Sequence, residues 1–254
     1  MQEFCFFPRY LRRKPGKGLA IVYETRGTPG RWVTVTLNGA GRTVQVFPDD
    51  SGLPGLSESC TPSSGGAVFQ ALEGAARIQL NDPQWRLAAA QAEPVRYKPS
   101  SRCVIRYLLR VERAAPEGIL QRNVTVFGKV YGDLEKARTV QDHMRLLYAE
   151  QAREGQPVIP RPVGGVPAYG VVLTEGIEPA VPRTGLRALQ PDQLRLTAAA
   201  LARLHTSAVR PSGPPRTGAK EAGRLRERAE LIATRYPAQA EAAQRIAGQL
   251  ASSS

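Results

Sequence analysis

The stretch "NVTVFGKVYGD", residues 123–133, decides how this chain is read. Thr and Val alternate at the period of two expected of a strand, and Gly128, Lys129 and Tyr131 follow before the pattern changes. In "GDLEKARTVQDHMRLLYAEQARE", Leu134, Ala137, Val140, Met144, Leu147 and Gln151 recur every three or four residues. That spacing predicts a helix, with Asp133 as its N-cap. Lys129 therefore closes a strand just before a helix. It is either a surface lysine on an edge strand or a cation pointing into a cleft that holds nucleotide phosphates.

Working outward, "GLAIVYE" (18–24), "RWVTVTL" (31–37), "TVQVF" (43–47) and "CVIRYLLRV" (103–111) are short, β-branched and bounded by turn residues, so they predict antiparallel strands. "SGLPGLSESCTPSSGG" (51–66) predicts a loop. "AVFQALEGAARIQLND" (67–82) and "PQWRLAAAQAE" (83–93) predict one or two short helices. Beyond the central helix, the proline-rich "GQPVIPRPVGGVPAYG" (155–170) leads to a strand at "VVLTEGIEP" (171–179). "QPDQLRLTAAALARLHTSA" (190–208) predicts an amphipathic helix with Pro191 and Asp192 in its first turn. "VRPSGPPRTG" (209–218) breaks it, and the rest is helical, rich in Ala, Glu and Arg. Strands first and helices last define an α+β arrangement. An internal echo supports two similar hairpins: "RRKPGKGLAIVY" (12–23) matches "RYKPSSRCVIRY" (96–107) at five positions with a constant offset of 84.

A chain of 254 residues with 42% hydrophobic content can bury a sizeable core. The three cysteines, Cys5, Cys60 and Cys103, are scattered and follow no metal-ligand spacing, which points to a reducing compartment and a cytoplasmic address. No apolar run approaches the roughly 18–20 residues of a spanning helix, so no membrane partner is expected. The net charge of +13 favours an acidic partner. Only six of the 35 basic residues are lysines, and most arginines stand singly among apolar residues, as on a solvated basic surface. A basic binding module for nucleic acid or another anionic partner is the alternative reading. The low aromatic content of 6% and the lack of a helix-turn-helix, zinc-finger or stacking-platform signature count against it.

The order "VRYKPSSRCVIRYLL" (95–109), "VTVFGKVYGD" (124–133), a helix, "PVIPRPVGG" (157–165), "GVVLTEGIEP" (170–179) and "LTAAALARLHTSAV" (196–209) resembles the aminoglycoside phosphotransferase group of small-molecule kinases. "RYLRRKPGKGLAIVYE" (9–24) with "VQVFPDDSGLPGL" (44–56) resembles the longer N-terminal region of some members. The resemblance implies a protein-kinase-like α+β fold. It divides into a β-rich extension (1–90), a nucleotide-binding lobe and hinge (91–177) and a partial helical lobe (178–254). ATP would lie in the crevice between lobes.

By the same resemblance, "KPSSR" (98–102) is the turn whose small residues Ser100 and Ser101 let backbone N–H groups approach phosphate, and Lys129 meets the α- and β-phosphates. The hinge "LTEG" (173–176) offers the Glu175 C=O and the Ile177 N–H to the adenine edge, with Leu173 lining the pocket behind. Kinases orient the strand lysine with a helix carboxylate; Glu135 and Asp142 are the two on offer, and neither is well placed. His205 falls where the family closes a helix, a structural role, and His143 reads as a surface or boundary residue.

The catalytic constellation is missing. The family needs His-Gly-Asp, an Asn five residues after the Asp for Mg²⁺, and a later Asp-ended strand; the sequence holds none of these. "YGDLEKAR" (131–138) imitates the loop, but Arg138 stands at the Asn position and cannot ligate a cation. No catalytic or metal-binding residue is therefore assigned. Three explanations compete: a truncated phosphotransferase, which is favoured, a fragment completed by another polypeptide, and a pseudokinase-like binding module. The expectation is nucleotide binding without turnover, marginal solubility or self-association through an uncovered helical lobe, and an unreadable small-molecule acceptor.

Overall fold

The structure is a computed structural model, and it describes residues 6–14, 18–25, 32–155, 157–177, 191–210, 212 and 217–252. By internal contacts the chain divides into two units, Met1–Arg210 and Pro211–Ser254.

The first unit holds two antiparallel sheets. Strands β1 (Phe6–Lys14), β2 (Gly18–Thr25), β3 (Trp32–Asn38) and β4 (Gly41–Val46) form a four-stranded meander in chain order. Strands β5 (Arg86–Lys98), β6 (Arg102–Ala115), β7 (Gly118–Tyr131), β8 (Pro162–Val166) and β9 (Val171–Glu175) form a second sheet in the order β5-β6-β7-β9-β8. The α+β class and the alternating strands are as the sequence implies.

The two similar hairpins are also present, at β1–β2 and β5–β6, with Lys14 and Lys98 each ending the first strand. Their buried faces are opposite. Ile105 and Tyr107 are fully buried, whereas in the first hairpin Val22 is the buried residue and the matching Ile21 and Tyr23 are half-buried. The outer face of the first sheet stays open, with Leu11, Leu37, Val44 and Val46 exposed.

Helix α2 (Ala67–Leu80) covers one face of the second sheet. Its Val68, Leu72, Ala75 and Ala76 pack with Cys103, Ile105, Tyr107, Val126 and Leu173 in one buried cluster. The short helix α1 (Leu56–Cys60) adds Leu56 to that cluster, and the Tyr107 hydroxyl donates to the Ser59 carbonyl at 2.9 Å. Truncating a fully buried leucine such as Leu72 in such a core costs about 2–5 kcal/mol.

The expected helix at 83–93 is instead the start of β5, so the expected boundary at 90/91 falls inside a strand. Alanine favours helix, but intrinsic propensity is worth less than one kcal/mol or so per residue and tertiary pairing overrides it. The α2 terminus enforces the change. Asn81 adopts the left-handed conformation at φ 52°, and the Glu73 carboxylate accepts from the Leu87 N–H at 2.9 Å. Trp85 and Leu87 then enter the core, and β5 pairs with β6 along its length.

Helix α3 (Leu134–Arg153) lies against the other face of the sheet. Asp133 caps it as predicted, its carboxylate accepting from the Lys136 N–H at 3.0 Å. Ala137 is buried there with Tyr131 and Val172, and Val140 and Met144 pack against them. Helix α4 (Pro191–Thr206) buries none of its residues; Leu194, Leu196 and Leu201 are exposed.

The second unit comprises α5 (Gly218–Arg235), capped by Thr217, and α6 (Ala240–Ser252), which pack on each other and bury Ala222, Ala229 and Ala247. Among the described residues no helix is long and apolar enough to cross a membrane.

Candidate functional site

Strand alternation fixes which way each candidate points. Lys129 stands opposite Val104 of β6 and Val172 of β9, while its neighbour Gly128 stands opposite Ile105 and Leu173. The Gly128 row faces α2: a Cβ added at Gly128 would lie 2.6 Å from Tyr107 Cε2 and 3.3 Å from Leu173 Cδ2. The Lys129 row therefore faces α3.

A groove of about 340 Å³ lies on that side, lined by Val95, Val104, Phe127, Lys129, Met144 and Thr174. Val140, Val172 and Tyr131 complete the apolar wall near the helix. The Lys129 ammonium sits 4.8 Å from the centroid of the Tyr131 ring, a cation–π contact between two residues of the groove lining. The side chain is half-buried, and no carboxylate is paired with it among the described residues.

Of the two helix carboxylates, Glu135 is ion-paired with Arg138 on its own helix, and Asp142 is exposed. Neither reaches Lys129 as a partner. Met144 and Val140 occupy the α3 face toward the groove, so the helix contributes apolar surface there.

Leu173 does not line the groove. It is fully buried against α2, because the β7–β9 register sends it to the opposite face; Val172 and Thr174 are the β9 residues that reach the groove. The sequence carried that information only as alternation along "VVLTE", and the register was needed to choose the face.

Ser100 and Ser101 do form the β5–β6 turn, and Ser100 takes the left-handed conformation at φ 52°. Their amides are already engaged. The Ser100 N–H donates to Asp50 Oδ2 at 2.8 Å, and the Ser101 N–H to the Lys98 carbonyl at 3.1 Å. Asp50 also accepts from the Tyr97 hydroxyl at 2.7 Å and from the Gly52 N–H at 2.9 Å. The loop after β4 thus latches the turn from the side, a contact between residues about fifty apart that local sequence does not announce.

At the end of β9 the backbone is held on both sides. The Glu175 N–H donates to the Arg161 carbonyl, the Glu175 carboxylate accepts from the Arg161 N–H at 2.8 Å, and the Gly176 N–H donates to the Thr125 carbonyl. Ile177 is exposed. The continuation of the expected hinge, at 178–190, lies outside the described residues.

His205 is exposed in the last turn of α4 rather than set in packing, and His143 is half-buried on α3, the boundary position expected of it. Among the described residues no group of three or more His, Cys, Asp or Glu could hold a metal ion. Burial pushes the Cys60 thiol up to about 12 and raises that of Cys103 as well, so neither is a thiolate nucleophile near neutral pH.

The site is thus a largely apolar groove against one face of an antiparallel sheet, with Lys129 in its lining. Compared with family models, curated proteins and solved structures, the chain matches none.

Proposed function

We propose that the groove below β7 and β9 is a nucleotide site, and that the chain is the nucleotide-binding part of a protein-kinase-like small-molecule phosphotransferase. One observation carries the reading: Lys129, on the third strand of its sheet, faces an apolar groove on the side of the helix that follows it. Kinases hold their phosphate-binding lysine on the third strand, ahead of a helix that packs on the same sheet.

In this reading the purine lies between Val95, Val104 and Val172, with Phe127 at the wall. The Glu175 carbonyl and Ile177 N–H grip its edge, and the ammonium of Lys129 balances the α- and β-phosphates. A lysine at the mouth of an apolar groove is a compact counter-charge whose attraction is screened less than in bulk water. Because the Ser100 and Ser101 amides are already bonded, the phosphate contact falls to side chains rather than to the turn backbone.

The reaction class this reading implies is transfer of the γ-phosphate of ATP to a hydroxyl of an amino-sugar, sugar or amino-alcohol. The residues described do not fit Mg²⁺, and the sequence has no His-Gly-Asp, so no transfer step is assigned to this chain.

Calorimetric titration with ATP and ADP tests the reading. The expected result is saturable binding that weakens about ten-fold or more in Lys129→Ala, the loss of one hydrogen bond to a charged group. Absence of nucleotide binding in the parent protein, or equal affinity in Lys129→Ala, overturns it.

A further inference from the structure

A second cavity, of about 490 Å³, lies between the inner face of the first sheet and the β5 edge. The first sheet contributes Tyr10, Val22, Glu24 and Trp32; β5 contributes Arg96 and Lys98, with Tyr97 behind them. Among the described residues only Val95 borders both this cavity and the Lys129 groove.

Two features of the cavity bear on what it could hold. The first is charge. Among the described lining residues Glu24 is the one acidic group, and it is ion-paired with Arg9, which also borders the cavity. Among the described residues, Arg96 and Lys98 have no ion-pair partner, nor do the neighbouring Arg12 and Arg102. The crowding is felt electrostatically: the Lys98 ammonium is held below the usual lysine range, first by Arg102, then by partial desolvation, Arg96 and Arg12.

The second is a rigid aromatic wall. Trp32 stacks on Tyr97 with centroids 5.8 Å apart and planes 8° from parallel, and Phe47 meets both rings edge-on at 5.0 and 5.2 Å. The wall is anchored from behind by the Tyr97–Asp50 hydrogen bond.

We propose that this cavity binds a small organic phosphate, a phosphate monoester on a ring-bearing group, and that it is a site separate from the Lys129 groove. The phosphate supplies the missing negative charge, and an arginine beside a lysine gives it a planar fork and a mobile ammonium. The ring of the ligand lies against the aromatic wall. A cavity of this volume falls in the range of small-molecule sites.

The test uses the full chain, phenyl phosphate as the probe, and inorganic phosphate and a single-stranded oligonucleotide as comparators. Binding is read by calorimetry and by tryptophan fluorescence. The expected result is saturable binding of phenyl phosphate, tighter than inorganic phosphate, with a fluorescence change that disappears in Trp32→Phe. The double variant Arg96→Gln/Lys98→Gln, whose positions are at the surface and whose folding is checked by circular dichroism, should weaken it about ten-fold or more. Lys129→Ala should leave it unchanged.

Failure of the parent protein to bind phenyl phosphate overturns the proposal, as does equal affinity in the double variant. Loss of binding in Lys129→Ala alone also overturns it, by moving the anion to the other groove. Binding of the oligonucleotide without phenyl phosphate overturns it in favour of a polyanion surface.

Discussion

Asp50 is the residue on which the candidate region turns. One carboxylate receives the Tyr97 hydroxyl, the Ser100 N–H and the Gly52 N–H, and Asp50 is itself only 6% exposed. Removing an acceptor from buried donors costs more than the hydrogen bonds are worth, because the donors remain desolvated. Asp50→Ala should therefore destabilise the protein by about 2–4 kcal/mol in urea unfolding, and Tyr97→Phe, which deletes a single neutral partner, by about 1 kcal/mol. Equal small effects would mean that the latch is not formed in solution. Lys129 could be singled out from sequence because its strand and the following helix are both periodic. The roles of Ser100, Ser101 and Leu173 could not. The serine amides are captured by a carboxylate about fifty residues earlier, and the leucine's face depends on the register of β7 against β9.

At the scale of elements, α3 was legible to its cap, because Asp133 and the three-to-four spacing are local signals. Strand β5 was not, because its alanines read as helix until Trp85 and Leu87 are seen to be drawn into the core. The attachment of α4 was equally hidden. Its C-terminal end is tied to α3 by Glu150, whose carboxylate accepts from the Ser207 hydroxyl and from the Ala208 N–H at 2.8 Å. Those two donors, Ser207 first, hold the Glu150 carboxyl below its usual range, with Arg153 and Arg210 assisting. A carboxyl depressed in the folded state stabilises it above the unfolded value of about 4.3, and the contribution is lost as pH falls through the folded value. Wild-type protein should therefore unfold at higher urea than Glu150→Gln at pH 7, and the two midpoints should converge in strong acid. A gap that stays constant with pH would assign the effect of the substitution to packing.

The whole molecule carries a net charge of +13, but the structure does not spread it evenly. Arg9, Arg77, Arg86, Arg106, Arg113, Arg138, Arg195 and Arg224 are each paired with a carboxylate. Among the other described cations, Arg12, Arg96 and Arg102 crowd Lys98 electrostatically and form a cluster beside the two-sheet cavity. A cluster of four suits one small polyvalent anion better than an extended strand, which needs a track of charges with rings for successive bases. Duplex DNA attracted to all four would show a log–log salt slope of about −3.6, which is a loss of about 10²-fold between roughly 50 and 200 mM salt. The expected outcome at the upper salt is undetectable DNA binding in fluorescence anisotropy while phenyl phosphate still titrates, since the small ligand keeps its ring contacts. DNA affinity that survives that change would require many more phosphate contacts than this cluster provides, and would make the basic surface as a whole the functional feature.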